Sequence, residues 1–270
     1  MTLDLQLVGT TTQMAVITLT PGQTVFSEAG KFLFASDDVT METKLSQPSG
    51  DAAPGGSAGS GAMGGLLRGA LDAGKRMLAG ESFAFTHFTT RGGSGLLGLA
   101  GVLPGEMRAI RLDGRTTWTA EKDAFVAAEA GVHFDVAFMG GRAGFMGGEG
   151  LVLERFSGTG TLLVASAGDF IDINPADYGG RIRVDTGCVV AWDDRIRYDV
   201  QRVGGLSRQG VMNAVFGGEG LTLAVLEGDG QVILQSVAIE GLAAALAKNA
   251  GGLNRKGPGG LGGLFSGSSD

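Results

Sequence analysis

The segment Gly147-Gly148-Glu149-Gly150-Leu151 recurs as Gly217-Gly218-Glu219-Gly220-Leu221, 70 residues later. The match continues through Leu153 and Leu223, through the turns Gly158-x-Gly160 and Gly228-x-Gly230, and on to Ser166 and Ser236. Recurrence at a fixed spacing marks a chain made of copies of one unit, and such a unit cannot bury its apolar face alone. A fainter copy, Gly92-Gly93-Ser94-Gly95-Leu96, stands 55 residues before the first and aligns without a gap to Pro104-Gly105, opposite Thr159-Gly160. Gly93 and Gly95, then Gly148, Glu149 and Gly150, then Gly218, Glu219 and Gly220 are therefore read as the structural turns of three copies.

The other half of the unit repeats as well. Val132-His133-Phe134-Asp135-Val136 lines up with Ile196-Arg197-Tyr198-Asp199-Val200 at an offset of 64, and Gly140-Gly141 with Gly204-Gly205. Ala124-Phe125-Val126-Ala127 lines up with Cys188-Val189-Val190-Ala191 at the same offset, and with Lys31-Phe32-Leu33-Phe34 at 93. Glu28, Glu121 and Asp185 then occupy corresponding places.

Val132, Phe134, Val136 and Phe138 alternate with polar residues, as Ile196, Tyr198 and Val200 do. Period 2 predicts strands with one face buried. The continuous apolar runs Thr161–Ala165 and Gln231–Leu234 predict strands covered on both faces. The sequence thus predicts an all-β fold. Its 1–236 segment is one domain of three copies (about 1–110, 113–166 and 177–236) packed around a pseudo-threefold axis. An insertion at 46–80 begins as a flexible loop and continues, over Met63–Leu78, with apolar residues at helical spacing. A C-terminal helix is expected over 237–250, followed by a flexible glycine-rich tail, 251–270.

Composition narrows the function. The 50 glycines lack a Gly-x-y period and cluster at the predicted turns. Net charge is −7, and no run of Lys and Arg offers the basic surface that phosphate contacts require, so nucleic acid is a poor partner. The single cysteine, Cys188, excludes an intramolecular disulfide and any site made of several thiolates; its apolar setting reads as a buried structural thiol. A start at Met1-Thr2-Leu3-Asp4-Leu5 without a basic or apolar leader, and no apolar run of membrane-spanning length, read as a cytoplasmic protein.

Several motifs together carry a resemblance: Gly80-Glu81-Ser82-Phe83 after the insertion, the two Gly-Glu-Gly-Leu turns, Val184-Asp185 before Val189-Val190-Ala191-Trp192, and Gly230-x-Val232-x-Leu234-Gln235. Over roughly residues 1–240 the chain resembles a bacterial and archaeal family related to the mitochondrial protein named for altered inheritance of mitochondria. The resemblance implies a short double-stranded β-helix like that of the tryptophan RNA-binding attenuation protein, and homo-oligomers. It supplies no catalytic residues. The mitochondrial relative is tied to inner-membrane organisation, a role that this chain's start does not carry over.

Two function classes follow. One is a non-catalytic oligomeric binding or scaffold module, for a protein partner or a membrane-associated complex, with no cofactor. The other is a cupin-like metal-dependent enzyme or small-molecule binder using the barrel interior. Against the second, His87 and His133 are the two histidines, no His-x-His pair exists, and both are read as solvent-facing. Glu149 and Glu219 form either an acid/base pair or two turn residues; Ser94 in the aligned copy prevents a three-carboxylate ring. The glycine pairs lack the context of a phosphate loop. Cations at Arg68, Lys75 and Arg76 beside the insertion's apolar residues offer a weak peripheral membrane contact. Sparse charge along the strands predicts self-association, as a trimer or a multiple of it.

Overall fold

The computed structural model describes residues 3–44, 84–138, 152–202 and 222–253. The insertion 46–80, the glycine turns at 147–151 and 217–221, the pairs at 140–141 and 204–205, and the tail beyond 253 lie outside the described residues.

Short apolar or alternating runs, broken by glycine turns, form antiparallel ladders throughout the described strands. The first stretch gives β1 (Asp4–Val8), β2 (Met14–Leu19), β3 (Val25–Glu28), β4 (Phe32–Ala35), β5 (Val39–Lys44), β6 (Phe85–Thr90) and β7 (Gly95–Ala100). The second gives β8 (Met107–Asp113), β9 (Trp118–Glu121), β10 (Phe125–Glu129), β11 (Val132–Phe138) and β12 (Val152–Ala165). The third gives β13 (Phe170–Ile173), β14 (Arg181–Asp185), β15 (Val189–Asp193), β16 (Ile196–Arg202), β17 (Thr222–Gly228) and β18 (Val232–Gln235). A helix, α1 (Ile239–Leu253), follows where one was expected, and Ala243–Ala247 within it are exposed.

The protein is all-β apart from this helix and three short 3-10 turns among the described residues. Its strands form a four-stranded sheet (β1-β2-β7-β4), a large sheet (β13-β18-β15-β9-β12-β10-β3-β6-β5, with β8 and β11 also on β12), and a three-stranded sheet (β14-β17-β16). The fourteen residues of β12 tie the large sheet together. Their first half pairs with β9 and β11, their second half with β8 and β10.

Three details recur along the chain, the first strand of each set at the offsets of 93 and 64. Each strand of the set β4, β10 and β15 carries a bulge, between Phe32 and Phe34, Phe125 and Ala127, and Val189 and Ala191. A side-chain oxygen at Ser36, Glu129 and Asp193 accepts the backbone N–H of Leu96 (3.0 Å), Thr161 (2.6 Å) and Gln231 (2.9 Å) respectively. The hairpins β5–β6, β11–β12 and β16–β17 end in the pairs Val39–Thr90, Val132–Gly158 and Ile196–Gly228. That register corrects one sequence alignment. Thr90 stands level with Gly158, 68 residues on, not at the offset of 55 drawn from the glycine run. Gly92 and Gly93 turn the chain between β6 and β7, and Gly95 opens β7, so this run matches the second glycine turn of the later stretches. A run of four small residues fits several turns; a strand register fits one.

The core holds three apolar clusters. The central one gathers Phe26, Phe85, Phe125, Phe134 and Phe156, whose ring centroids lie 5.0–6.3 Å apart in edge and tilted contacts. Such pairs add about 0.5–1.5 kcal/mol each beyond the area they bury. The second cluster joins the first and second stretches around Leu97, Leu99 and Leu163; the third joins β12 to the last stretch around Trp192 and Leu226.

Candidate functional site

Strand alternation places Glu154 on the inward face of β12, with the same parity as Phe156. Its side chain is fully buried, opposite Ala120 of β9 and Val136 of β11. Neither of its carboxylate oxygens meets a donor as an ionised group. Desolvation pushes its carboxyl well above the ordinary range, and the adjacent Glu28 carboxyl adds to that rise. Glu28, at the end of β3, is raised too, chiefly by burial. The Glu28 carboxyl beside it disfavours a second negative charge, so Glu154 keeps its proton above the usual carboxylate range.

Lys31 completes the group. It is buried, and its Nζ donates to the Asp123 carbonyl at 3.1 Å. Burial lowers its pKa, while Glu28, Asp123 and Glu154 hold it up. Among its acidic neighbours Glu28 does most to favour the ammonium form.

Asp123 leads from this cluster to a cavity of about 320 Å³. Val102, Leu103, Ala124, Ala167, Val189 and Ile239 give it an apolar wall, and Glu121 and Asp123 bring acid to it. Its polar wall is bonded within itself. Gln235 accepts the Ala167 N–H at 2.8 Å and donates to Gly187 O at 2.8 Å, and Ser166 Oγ donates to Gly168 O at 2.6 Å. Under this wall the segments around Gly105 and Gly168 cross as an isolated parallel bridge. A Cβ on Gly105 would run into the Ser166 carbonyl, so the crossing requires glycine there.

The second feature is an apolar edge. Phe32, Leu33 and Phe34 of β4 are 41–50% exposed, and Met41 of β5 and Leu96 of β7 are also exposed. Phe32 stacks on the buried Phe88 at 6.0 Å, and Met41 is registered against Phe88, which makes the three continuous. β4 pairs with β7 on one side and lies at the border of its sheet.

Three sequence expectations change or fall outside. His87 is buried against Phe26, with ring centroids 6.2 Å apart, not solvent-facing, because β6 lies between β3 and β5. His133 is exposed, and the two histidines stand on strands that share no ladder. Cys188 is half-buried, not buried, because it lies in the 3-10 turn Thr186–Cys188 before β15 begins. Glu149 and Glu219 lie outside the described residues. Among the described residues no group of three or more His, Cys, Asp or Glu side chains is placed to hold a metal ion. Among them, too, no helix is long and apolar enough to cross a membrane. Sequence reasoning missed Glu154 and Lys31. Their signal was positional: Glu154 stands 70 residues before the buried Ala224, and Lys31 stands 93 before the buried Ala124.

An antiparallel β protein with a buried acid–lysine group and an uncovered strand border defines the class. The chain belongs to the family described as mitochondrial biogenesis AIM24, whose model matches residues 5–237. An uncharacterised protein of Streptococcus pyogenes serotype M6 is 30% identical over 233 residues, covering 86% of this chain and 84% of the relative. The X-ray crystal structure of a Streptococcus pyogenes protein matches with a TM-score of 0.67 at 25% identity, over 92% of this chain and 99% of that one.

Proposed function

We propose that this protein is a non-catalytic, self-associating module, three copies of a short double-stranded β-helix unit, that serves as a scaffold for another protein. The observation that carries the reading is the exposed run Phe32-Leu33-Phe34 on a strand border. Natural proteins cover or charge such borders, and an apolar one left in water marks a contact surface. The matched bulges and matched side-chain caps support the three-copy architecture. The family description, mitochondrial biogenesis, favours assembly of other components over turnover of a small molecule.

Light scattering across a micromolar dilution series tests the reading. The expected mass is a multiple of the chain mass, and Leu33→Lys lowers it without unfolding the protein. A single-chain mass at every concentration overturns it.

A second reading, a small-molecule binder, is favoured by the cavity at Val102, Leu103 and Ile239, whose 320 Å³ sits at the lower end of the range for ligand sites, roughly 300–1,000 Å³. Thermal stabilisation by a small apolar amine, which Glu121 and Asp123 would attract, supports that reading. No shift across a panel of such amines removes it.

A further inference from the structure

Three strands hold equivalent places: β4, β10 and β15. Two of them are buried between neighbours. β10 pairs with β12 on one side and with β3 of the preceding copy on the other; β15 pairs with β18 and with β9 of the preceding copy. These two junctions have the same register. Ala127, Ala128 and Glu129 meet Ser27, Phe26 and Val25; Ala191, Trp192 and Asp193 meet Ala120, Thr119 and Trp118.

The third junction of this kind would pair β4 with β14; among the described strands these two are unpaired with each other, and each ends its sheet. The effect on burial is large. Phe32, Leu33 and Phe34 are 42%, 50% and 41% exposed, whereas their counterparts Phe125, Val126 and Ala127, and Val189, Val190 and Ala191, are at most 2% exposed. β14 is likewise more open than β3 and β9, with Arg181 and Arg183 exposed.

We propose that β14 of a second copy of this chain covers β4, in the register of the two internal junctions. This rests on the reading of a self-associating module and names its contact. The transferred register sets Phe34 against Val184, Ala35 against Arg183 and Ser36 against Ile182. One step further it sets Asp37 against Arg181, an acid against a base, both exposed. The corresponding positions already meet at the other junctions: Ala130 N–H donates to Thr24 O at 3.0 Å, and Thr117 N–H donates to Asp194 Oδ2 at 3.0 Å. Both halves of the missing junction are present on every chain. The contact is therefore head-to-tail, and in a closed ring of copies every β4 and every β14 is paired.

Cysteine pairing tests the register. In a Cys188→Ser background, two single variants are made, Ala35→Cys and Arg183→Cys, each replacing a side chain that is exposed or half-buried. Facing strand positions lie within disulfide reach. Mild oxidation of the mixed variants yields a cross-linked dimer that neither variant yields alone. As a second readout, Asp37→Arg and Arg181→Asp each lose oligomer separately and recover it when mixed. Two results overturn the proposal: no dimer in the mixture, or an intramolecular bond when both cysteines are placed in one chain, which means that the chain closes on itself. An oligomeric mass without the cross-link overturns this register only, while a single-chain mass for the parent protein overturns self-association itself.

Discussion

Glu28 of β3 and Glu154 of β12 bring two carboxyls together in the interior, and the Glu28 carboxyl adds to the rise that burial imposes on Glu154. Water does not reach Glu154, and an unshared negative charge there has no donor to settle on. Glu154 therefore holds a proton that glutamates in an unfolded chain give up near pH 4.5.

That proton gives stability a pH slope. Above the ordinary glutamate range the folded chain binds more protons than the unfolded one, so stability falls as pH rises toward the folded value. Glu154→Gln fixes the neutral form and keeps a donor for Glu28. Urea unfolding is expected to show little difference from wild type at pH 5 and a higher midpoint for the variant at pH 8. Equal slopes in the two proteins would refute the buried proton at Glu154.

Lys31 supplies the opposing charge. Lys31→Met leaves the pair's negative charge buried and uncompensated, which costs about 3–5 kcal/mol by analogy with broken buried ion pairs. The loss is read from chemical unfolding at pH 8, and adding Glu28→Gln recovers much of it. A Lys31→Met protein as stable as wild type would show that the ammonium carries no balancing role.

Phe34 and Gly98 are a register pair, and the same place is held by Ala127 with Leu163 and by Ala191 with Ile233. Large and small have changed sides. A Cβ at Gly98 would run into the Phe34 ring. Gly98→Leu alone therefore overpacks the site and costs about 1–3 kcal/mol. Combined with Phe34→Ala it reproduces the Ala127–Leu163 pair, and thermal unfolding is expected near that of wild type. A double variant no better than Gly98→Leu alone would mean that the three places are not equivalent.

Much of the all-β fold was legible because apolar period and glycine turns are local signals. Val132, Phe134 and Ile196 are buried as alternation required, and Thr161 to Ala165 form a strand covered on both faces. The candidate site was less legible. Glu154 sits in a stretch, Glu154-Arg155, that reads as ordinary solvated charge until parity with Phe156 is set by tertiary pairing. His87 looked exposed for the complementary reason: its polarity suggested water, while both neighbours of β6 bury it. Phe32 to Phe34 matched buried strands in sequence, and only the missing neighbour shows that β4 is open.

The length of β12 bears on how the molecule comes apart. Leu153–Phe156 and Leu162–Val164 have neighbours on both sides, so amides in these stretches exchange with solvent only when the large sheet opens. β1 and α1, each tethered at one side or fewer, can detach at much lower cost. Hydrogen exchange should therefore be graded from the termini toward the middle. A protease that engages β1 or α1 would take hold of loosened chain first and stall at the central strand, which makes β12 the last to be degraded.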